Sequence, residues 1–329
     1  MSRYKRIGIL GAGAFGTALA NAAARAGCAV KLYDSDLAVL ADIKKNRVNS
    51  IRLPGIPVEA AVEVTEQLGQ AAAQDALLLI VPTQDFRALV TALAKHAKPS
   101  TPLVACAKGI ERGSSKFVTE IISELIPQAL TAILSGPSFA SDVAKGLPAA
   151  VTLASADEKC ASELADALSS PTFRVYHSTD VRGVEIGGAA KNVLAIAGGI
   201  VAGRNLGASA QAALITRGFA ELARFGRAYG AKPDTLMGLS GLGDLILTGS
   251  TPQSRNFALG FAIGRGEKPA VSDGPLAEGA FTAPVLMELA RKKGVDMPIA
   301  ETVDALLAGR VGIDEAIARL MARPLKAEA

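Results

Sequence analysis

The sequence predicts an α/β protein with two parts: a doubly wound, mostly parallel Rossmann-type sheet over residues 1–180 and an all-helical region over 181–329. Three observations carry this. A glycine-rich turn lies between the first apolar strand and the first helix, the setting a dinucleotide-binding turn requires. Short, fully apolar strands then alternate with helices, as buried parallel strands do. After Thr179-Asp180 the β pattern stops, and the remaining segments read as helices punctuated by Gly and Pro. A chain of 329 residues is long enough for two domains, each with a core. Half of it is hydrophobic, but aromatics are only 4% and Trp is absent, so the core must be built from Ala, Leu, Ile and Val.

In chain order, residues 6–10 form a strand, residues 11–16 (GAGAFG) the turn, residues 17–27 a helix ending on Gly27, and residues 29–33 a second strand. Gly11 permits the tight turn, Gly13 lets a pyrophosphate approach the backbone, and Gly16 allows close helix–strand packing. Ala14 and Phe15 lie in this turn, just ahead of the helix, whose free N–H groups and dipole favour negative charge. The bland reading is a glycine turn in some other α/β protein. Asp34 follows Gly16 by 18 residues, close to the spacing of about 20 for an acid that hydrogen-bonds the adenosine ribose. With neither Ser35 nor Asp36 basic, the residues lean to NAD over NADP. Otherwise Asp34 or Asp36 caps the helix opening near Leu37, a task that Asp36 fits better.

Residues 76–81, 103–107 and 132–134 are the next strands, ending in Pro82-Thr83, in Lys108-Gly109 and in the loop SGPSFA at 135–140. Ligands of open parallel sheets bind beyond the carboxyl ends of the strands, so Lys108 and this loop line the expected site. Two more strands, 149–153 and 172–176, flank a helix at 157–168. Helices follow over 184–203, 208–229, 232–237, 253–264, 282–294, 300–307 and 313–321. Only the tail after Pro324 reads as loose.

The charge balance, 35 Lys and Arg against 31 Asp and Glu, gives +4 without runs. That suits an anionic small molecule and is no nucleic-acid footprint. Cys28, Cys106 and Cys160 are odd in number and widely spaced, consistent with a reduced cytoplasmic protein. The N-terminus enters a strand at once, leaving no room for a signal peptide. The longest uncharged apolar piece after Lys191, residues 193–203, is too short to span a bilayer, so no membrane insertion is expected. Cys106 reads as a small buried hydrophobe, His96 and His177 lie in no motif, and no cluster has metal-ligand spacing. The Ala/Gly-rich helices pack closely against one another or a second copy, which leaves a homodimer open.

Two stretches of the second half carry chemistry. Residues 186–203 (IGGAAKNVLAIAGGIVAG) are small and apolar except for Lys191-Asn192. A lysine there either snorkels to water or is kept as an amine of shiftable pKa. Gly238 to Asp244 (GLSGLGD) and Thr251 to Asn256 (TPQSRN) combine glycines, an acid and a helix start with a guanidinium. The second is either an anion cradle or a capped surface helix with a solvated Arg.

Taken together, GAGAFGTALA, Lys108-Gly109, SGPSFA, GGAAKN, ALITRG, GLSGLGDL and SRN resemble, in order and spacing, the bacterial-type glycerol-3-phosphate dehydrogenases. The likeness runs from about Arg6 to Met321. It implies reversible reduction of dihydroxyacetone phosphate by NAD(P)H to sn-glycerol 3-phosphate for phospholipid synthesis. It further implies Lys191 as general acid/base, with Lys108, Gly136, Ser138, Asp244, Ser254, Arg255 and Asn256 around the substrate. Phe15, Lys108, Ala140, Arg255 and Glu278 match cofactor-contacting positions. The chain departs from the family at Asp34-Ser35, where a Gly followed by a basic or imidazole side chain is common. It also carries Arg52 where an aromatic is usual.

Overall fold

The computed structural model describes residues 3–267 and 277–324; the tail expected to be loose after Pro324 lies outside them. Strand β1 (Arg6–Leu10) leads through the glycine turn into α1 (Ala14–Arg25), β2 (Ala29–Tyr33) and α2 (Leu37–Asn46). A hairpin of β3 (Val48–Asn49) and β4 (Leu53–Pro57) precedes β5 (Val62–Thr65) and α3 (Leu68–Ala72). Next come β6 (Ala76–Leu79), α4 (Phe86–Leu93), β7 (Pro102–Ala105), α5 (Val118–Leu125) and β8 (Leu130–Ser135). The α/β part continues with α6 (Ala140–Lys145), β9 (Ala149–Ser155), α7 (Glu158–Leu168) and β10 (Phe173–Ser178). Helices follow: α8 (Val181–Gly203), α9 (Ala208–Ala228), α10 (Pro233–Met237), a π turn at Leu239–Gly243, and α11 (Asp244–Gly249). The last are α12 (Arg255–Gly264), α13 (Glu278–Lys292), α14 (Pro298–Leu307) and α15 (Ile313–Met321).

The eight-stranded sheet has the order β10-β9-β8-β7-β6-β1-β2-β5. Every neighbouring pair is parallel except β8 with β9. The expected mostly parallel Rossmann-type sheet followed by helices is therefore the architecture found. Since β2 and β6 flank β1 on opposite sides, the chain reverses its direction of winding there and opens a crevice at the carboxyl ends of β1 and β6. Strand β5 and the β3–β4 hairpin escaped the sequence reading. Four alternating residues (VEVT) and a run with two prolines (LPGIP) carry little strand signal of their own. Strands β6 and β7 end two residues earlier than expected, so the chain beyond them is free to turn over the crevice.

Helix α8 is buried from Gly183 to Ile200 and, apart from Glu185, Lys191 and Asn192, carries only small or apolar residues there, the pattern of a core helix. Residues 193–203 are only its second half. The whole helix is the one among the described residues long and apolar enough to cross a bilayer, and 94% of its most apolar window is buried inside the protein. Its glycines explain how neighbours reach it. A Cβ on Gly199 would stand 2.0 Å from the Phe257 carbonyl oxygen, and one on Gly198 would stand 2.4 Å from that of Gly249. Backbone of α12 and of the end of α11 therefore presses directly on α8. Asp180 caps α8 by accepting from the Gly183 N–H (2.9 Å) and ties the chain ahead of α10 through the Lys232 N–H (2.8 Å).

Candidate active site

The glycine turn closes with almost no spare room. A Cβ on Gly11, whose φ is +117°, would lie 2.2 Å from the Ile80 carbonyl oxygen, and one on Gly16 would lie 1.8 Å from that of Gly11. A Cβ on Gly13 meets nothing within 4 Å, so the open side of the turn is the side on which a ligand would approach. Helix α1 also begins without a side-chain cap. Open space over Gly13 and uncapped N–H groups at a helix start, at the sheet's switch point, fit the pyrophosphate of a dinucleotide.

At the end of β2, Asp34 is held by backbone. Its Oδ2 accepts from the Ala12 N–H at 2.5 Å and its Oδ1 from the Asp36 N–H at 2.8 Å. Asp36 is the N-cap of α2, accepting from the N–H groups of Ala38 and Val39. Of the two acids it is therefore Asp36 that caps the helix, the one the sequence favoured for that task.

Lys191 does not snorkel. It is 3% exposed, and its Nζ lies 3.0 Å from Asp244 Oδ1. The other carboxylate oxygen, Oδ2, accepts from Lys108 Nζ at 2.8 Å, and Lys108 also donates to the Gly136 carbonyl at 2.9 Å. Asp244, 1% exposed, thus bridges two ammonium groups that belong to opposite halves of the chain. Burial pushes the Lys191 amine down to about 8; Asp244 holds it up, while Lys108 lowers it further. The Phe15 ring lies beside Lys108, with Nζ 5.9 Å from its centroid, so the nucleotide turn borders this cluster. Gly188 lets α8 approach the sheet here, since a Cβ on it would stand 2.6 Å from Ser135 Oγ. Ser138 closes the loop by donating to the Gly136 carbonyl at 3.0 Å, and Ala140 opens α6.

A second network ties this cluster to α12 and α13. Asn192 Nδ2 donates to the Lys108 carbonyl (2.8 Å), Asn256 Nδ2 to Asn192 Oδ1 (2.9 Å), and the Gly279 N–H to Asn256 Oδ1 (2.9 Å). Beside Gly279, Glu278 accepts from the Thr83 N–H at 2.8 Å, just beyond β6. Burial raises the Glu278 carboxyl above its ordinary value, opposed by the Thr83 N–H and by Arg255. Ser254 is the buried N-cap of α12, accepting from the Phe257 N–H. The capped-helix reading therefore describes Ser254, and the second amide N–H of Asn256 has no partner among the described residues. Arg255 is exposed and has no hydrogen-bond or ion-pair partner among the described residues.

Folding thus brings Lys108, Gly136, Asp244 and Lys191 into direct contact, and Phe15, Ser138, Asn256 and Glu278 onto their borders. Sequence reasoning noticed Asn192 only as a polar neighbour of Lys191 and gave Thr83 no role; neither stands in a local pattern that marks it. Cys106 is buried with its thiol pushed well above the ordinary range by burial, as befits a packing residue. Among the described residues no group of three His, Cys, Asp or Glu could hold a metal ion. A cavity between α14 and α15 contains none of the site residues, and its arginines, Arg291, Arg310, Arg319 and Arg323, are each paired to an acid.

Comparison with known proteins agrees with the fold. Residues 6–161 match the family model of the NAD-dependent glycerol-3-phosphate dehydrogenase N-terminus, and residues 180–318 that of the C-terminus. The chain is 62% identical over 330 residues to a protein of Azorhizobium caulinodans named glycerol-3-phosphate dehydrogenase [NAD(P)+], covering all of both chains. A Bradyrhizobium protein of the same name is 63% identical over 328 residues, again over all of both. The crystal structure of glycerol-3-phosphate dehydrogenase from Coxiella burnetii superposes with a TM-score of 0.92 at 35% identity, over 97% of this chain and 99% of that one.

Proposed function

Because the chain belongs to the NAD-dependent glycerol-3-phosphate dehydrogenase family, we infer that its two lysines and their shared carboxylate carry the proton chemistry of that reaction. The protein is an NAD(P)-dependent oxidoreductase that interconverts dihydroxyacetone phosphate and sn-glycerol 3-phosphate, and we assign it to phospholipid synthesis. Residues 1–180 hold the cofactor, and residues 181–329 supply the proton donor and most of the substrate contacts. The observation that carries this is the buried Lys191–Asp244–Lys108 bridge, which joins the two parts at the carboxyl ends of the strands.

Gly11, Gly13, Ala14, Phe15 and Gly16 would cradle the pyrophosphate side of the cofactor. Asp34 would take the adenosine ribose, an arrangement that favours NADH. Lys108, Ala140, Arg255 and Glu278 would border the nicotinamide half. The bound nicotinamide supplies the hydride. The exposed Arg255 guanidinium, the second Asn256 amide N–H and the start of α12 at Ser254 hold the substrate phosphate. Gly136 and Ser138 shape the loop beneath the substrate. In reduction, the Lys191 ammonium gives its proton to the carbonyl oxygen. In oxidation, the neutral amine takes the hydroxyl proton. An amine pushed down to about 8 reaches both forms near neutrality. Asp244 orients that amine, and Lys108 adds a second positive charge where the oxygen becomes negative.

The test is the initial rate of dihydroxyacetone phosphate reduction by NADH and by NADPH, in wild type and Lys191→Met. Wild type should turn over. The variant should lose about 10²–10⁴-fold in kcat, the usual contribution of a general acid, while its NADH dissociation constant stays close to that of wild type. Undiminished turnover in the variant rejects Lys191 as the proton donor.

A further inference from the structure

The rim of the crevice next to Asp34 carries a cation that the hydride and proton chemistry does not use. Asn49, fully buried, donates from Nδ2 to the Ala12 carbonyl and to Thr17 Oγ1, both at 2.8 Å, and its Oδ1 accepts from the Arg52 N–H at 3.0 Å. One side chain therefore pins the backbone of Arg52 to the glycine turn and its helix. From there the Arg52 guanidinium reaches Asp36, with Nη2 3.2 Å from Oδ2, in a pair whose side chains are 54% and 38% exposed. Asp36 uses its other oxygen, Oδ1, to cap α2. Arg52 can thus leave Asp36 without uncapping the helix. An exposed pair of this kind is weakly held against competing anions.

Asp34 by itself disfavours a 2′-phosphate through like charge. Both of its oxygens, however, already accept backbone N–H groups, which turns them towards the glycine turn and the start of α2. We propose that Arg52 is a specificity residue that exchanges Asp36 for the 2′-phosphate of NADPH, so that the chain accepts both dinucleotides. Arginine suits the task because its planar fork meets phosphate oxygens in pairs and remains charged at every working pH. The inference rests on the reading of the glycine turn and Asp34 as the adenosine end of the cofactor site.

Titration of NADH and NADPH fluorescence on binding to wild type, Arg52→Ala and Arg52→Lys tests it, with thermal melting to verify that each variant is folded. Wild type should bind both. In Arg52→Ala the ratio of the NADPH to the NADH dissociation constant should rise about tenfold or more, the scale of a lost charge-assisted contact, and Arg52→Lys should fall between. An unchanged ratio in Arg52→Ala, or a wild type that binds NADH and not NADPH, overturns the proposal. Failure of the parent reading looks different. Binding of both cofactors without reduction of dihydroxyacetone phosphate rejects the assigned reaction and leaves the ratio to decide the role of Arg52. Absence of binding by either cofactor to folded wild type rejects both.

Discussion

Replacing Asp244 by Asn tests what keeps a proton on Lys191. The carboxylate lies 3.0 Å from the Lys191 amine and 2.8 Å from that of Lys108, while burial and Lys108 both drive Lys191 towards neutrality. Two unit charges at that separation attract by about 5.5 kcal/mol at an effective dielectric of about 20. At about 1.36 kcal/mol per pKa unit, this corresponds to about four units. Asn keeps an acceptor for one lysine, so we take about half, and the expected value falls from about 8 to about 6. Reduction needs the protonated amine, so its rate declines as pH rises through that value; oxidation runs the opposite way. At about pH 7.5 the amine is then about three-quarters protonated in wild type and about 3% in the variant, a loss of roughly 25-fold in reduction. Lowering the pH to about 5.5 should restore most of that loss. The assay is kcat for dihydroxyacetone phosphate reduction across about pH 5 to 9, with NADH binding and thermal melting to establish that the variant is folded. A falling limb that stays near pH 8, or moves upward, refutes the electrostatic role given to Asp244.

Two further outcomes follow from the geometry. Arg255→Ala removes a guanidinium that has no other partner among the described residues. At about 1.5–3 kcal/mol for hydrogen bonds to a charged group, KM for the phosphorylated ketone should rise roughly 10- to 150-fold; an unchanged KM takes Arg255 out of the phosphate site. Gly199→Ala places a Cβ 2.0 Å from the Phe257 carbonyl oxygen and 2.7 Å from the Phe261 nitrogen, both backbone atoms that cannot rotate away. Overpacking of about 1–3 kcal/mol is expected, read as a fall of several degrees in Tm at about 2–4 °C per kcal/mol. A Tm equal to that of wild type would refute the close approach of α8 and α12.

Much of the fold was legible because its signals are local. The strand–turn–helix at residues 6–25 needs only near neighbours, and so does the cap at Asp36. Strand β5 and the β3–β4 hairpin were not legible, since VEVT and LPGIP pair through the sheet or the hairpin without strong propensity of their own. That omission hid Asn49 and the position of Arg52 as well. Their place beside the glycine turn depends on the hairpin folding back over α1, which no spacing along the chain announces. The site was legible as a set of motifs and not as an arrangement. The stretch with Ser254 and Asn256 read as an anion cradle or a capped helix start, and no local pattern announces that Asn256 also joins α8 to α13.

By itself the sequence determined the α/β class, the dinucleotide turn and the set of side chains with chemistry to offer, because periodicity and turn residues act over a few positions. It left Lys191 between two readings, a snorkelling stem or a working amine. Only the tertiary structure excluded the snorkelling stem. It buries the amine and brings Asp244 and Lys108 against it from distant parts of the chain. An amine's charge depends on its solvation and on the charges within a few ångströms, and folding alone sets both.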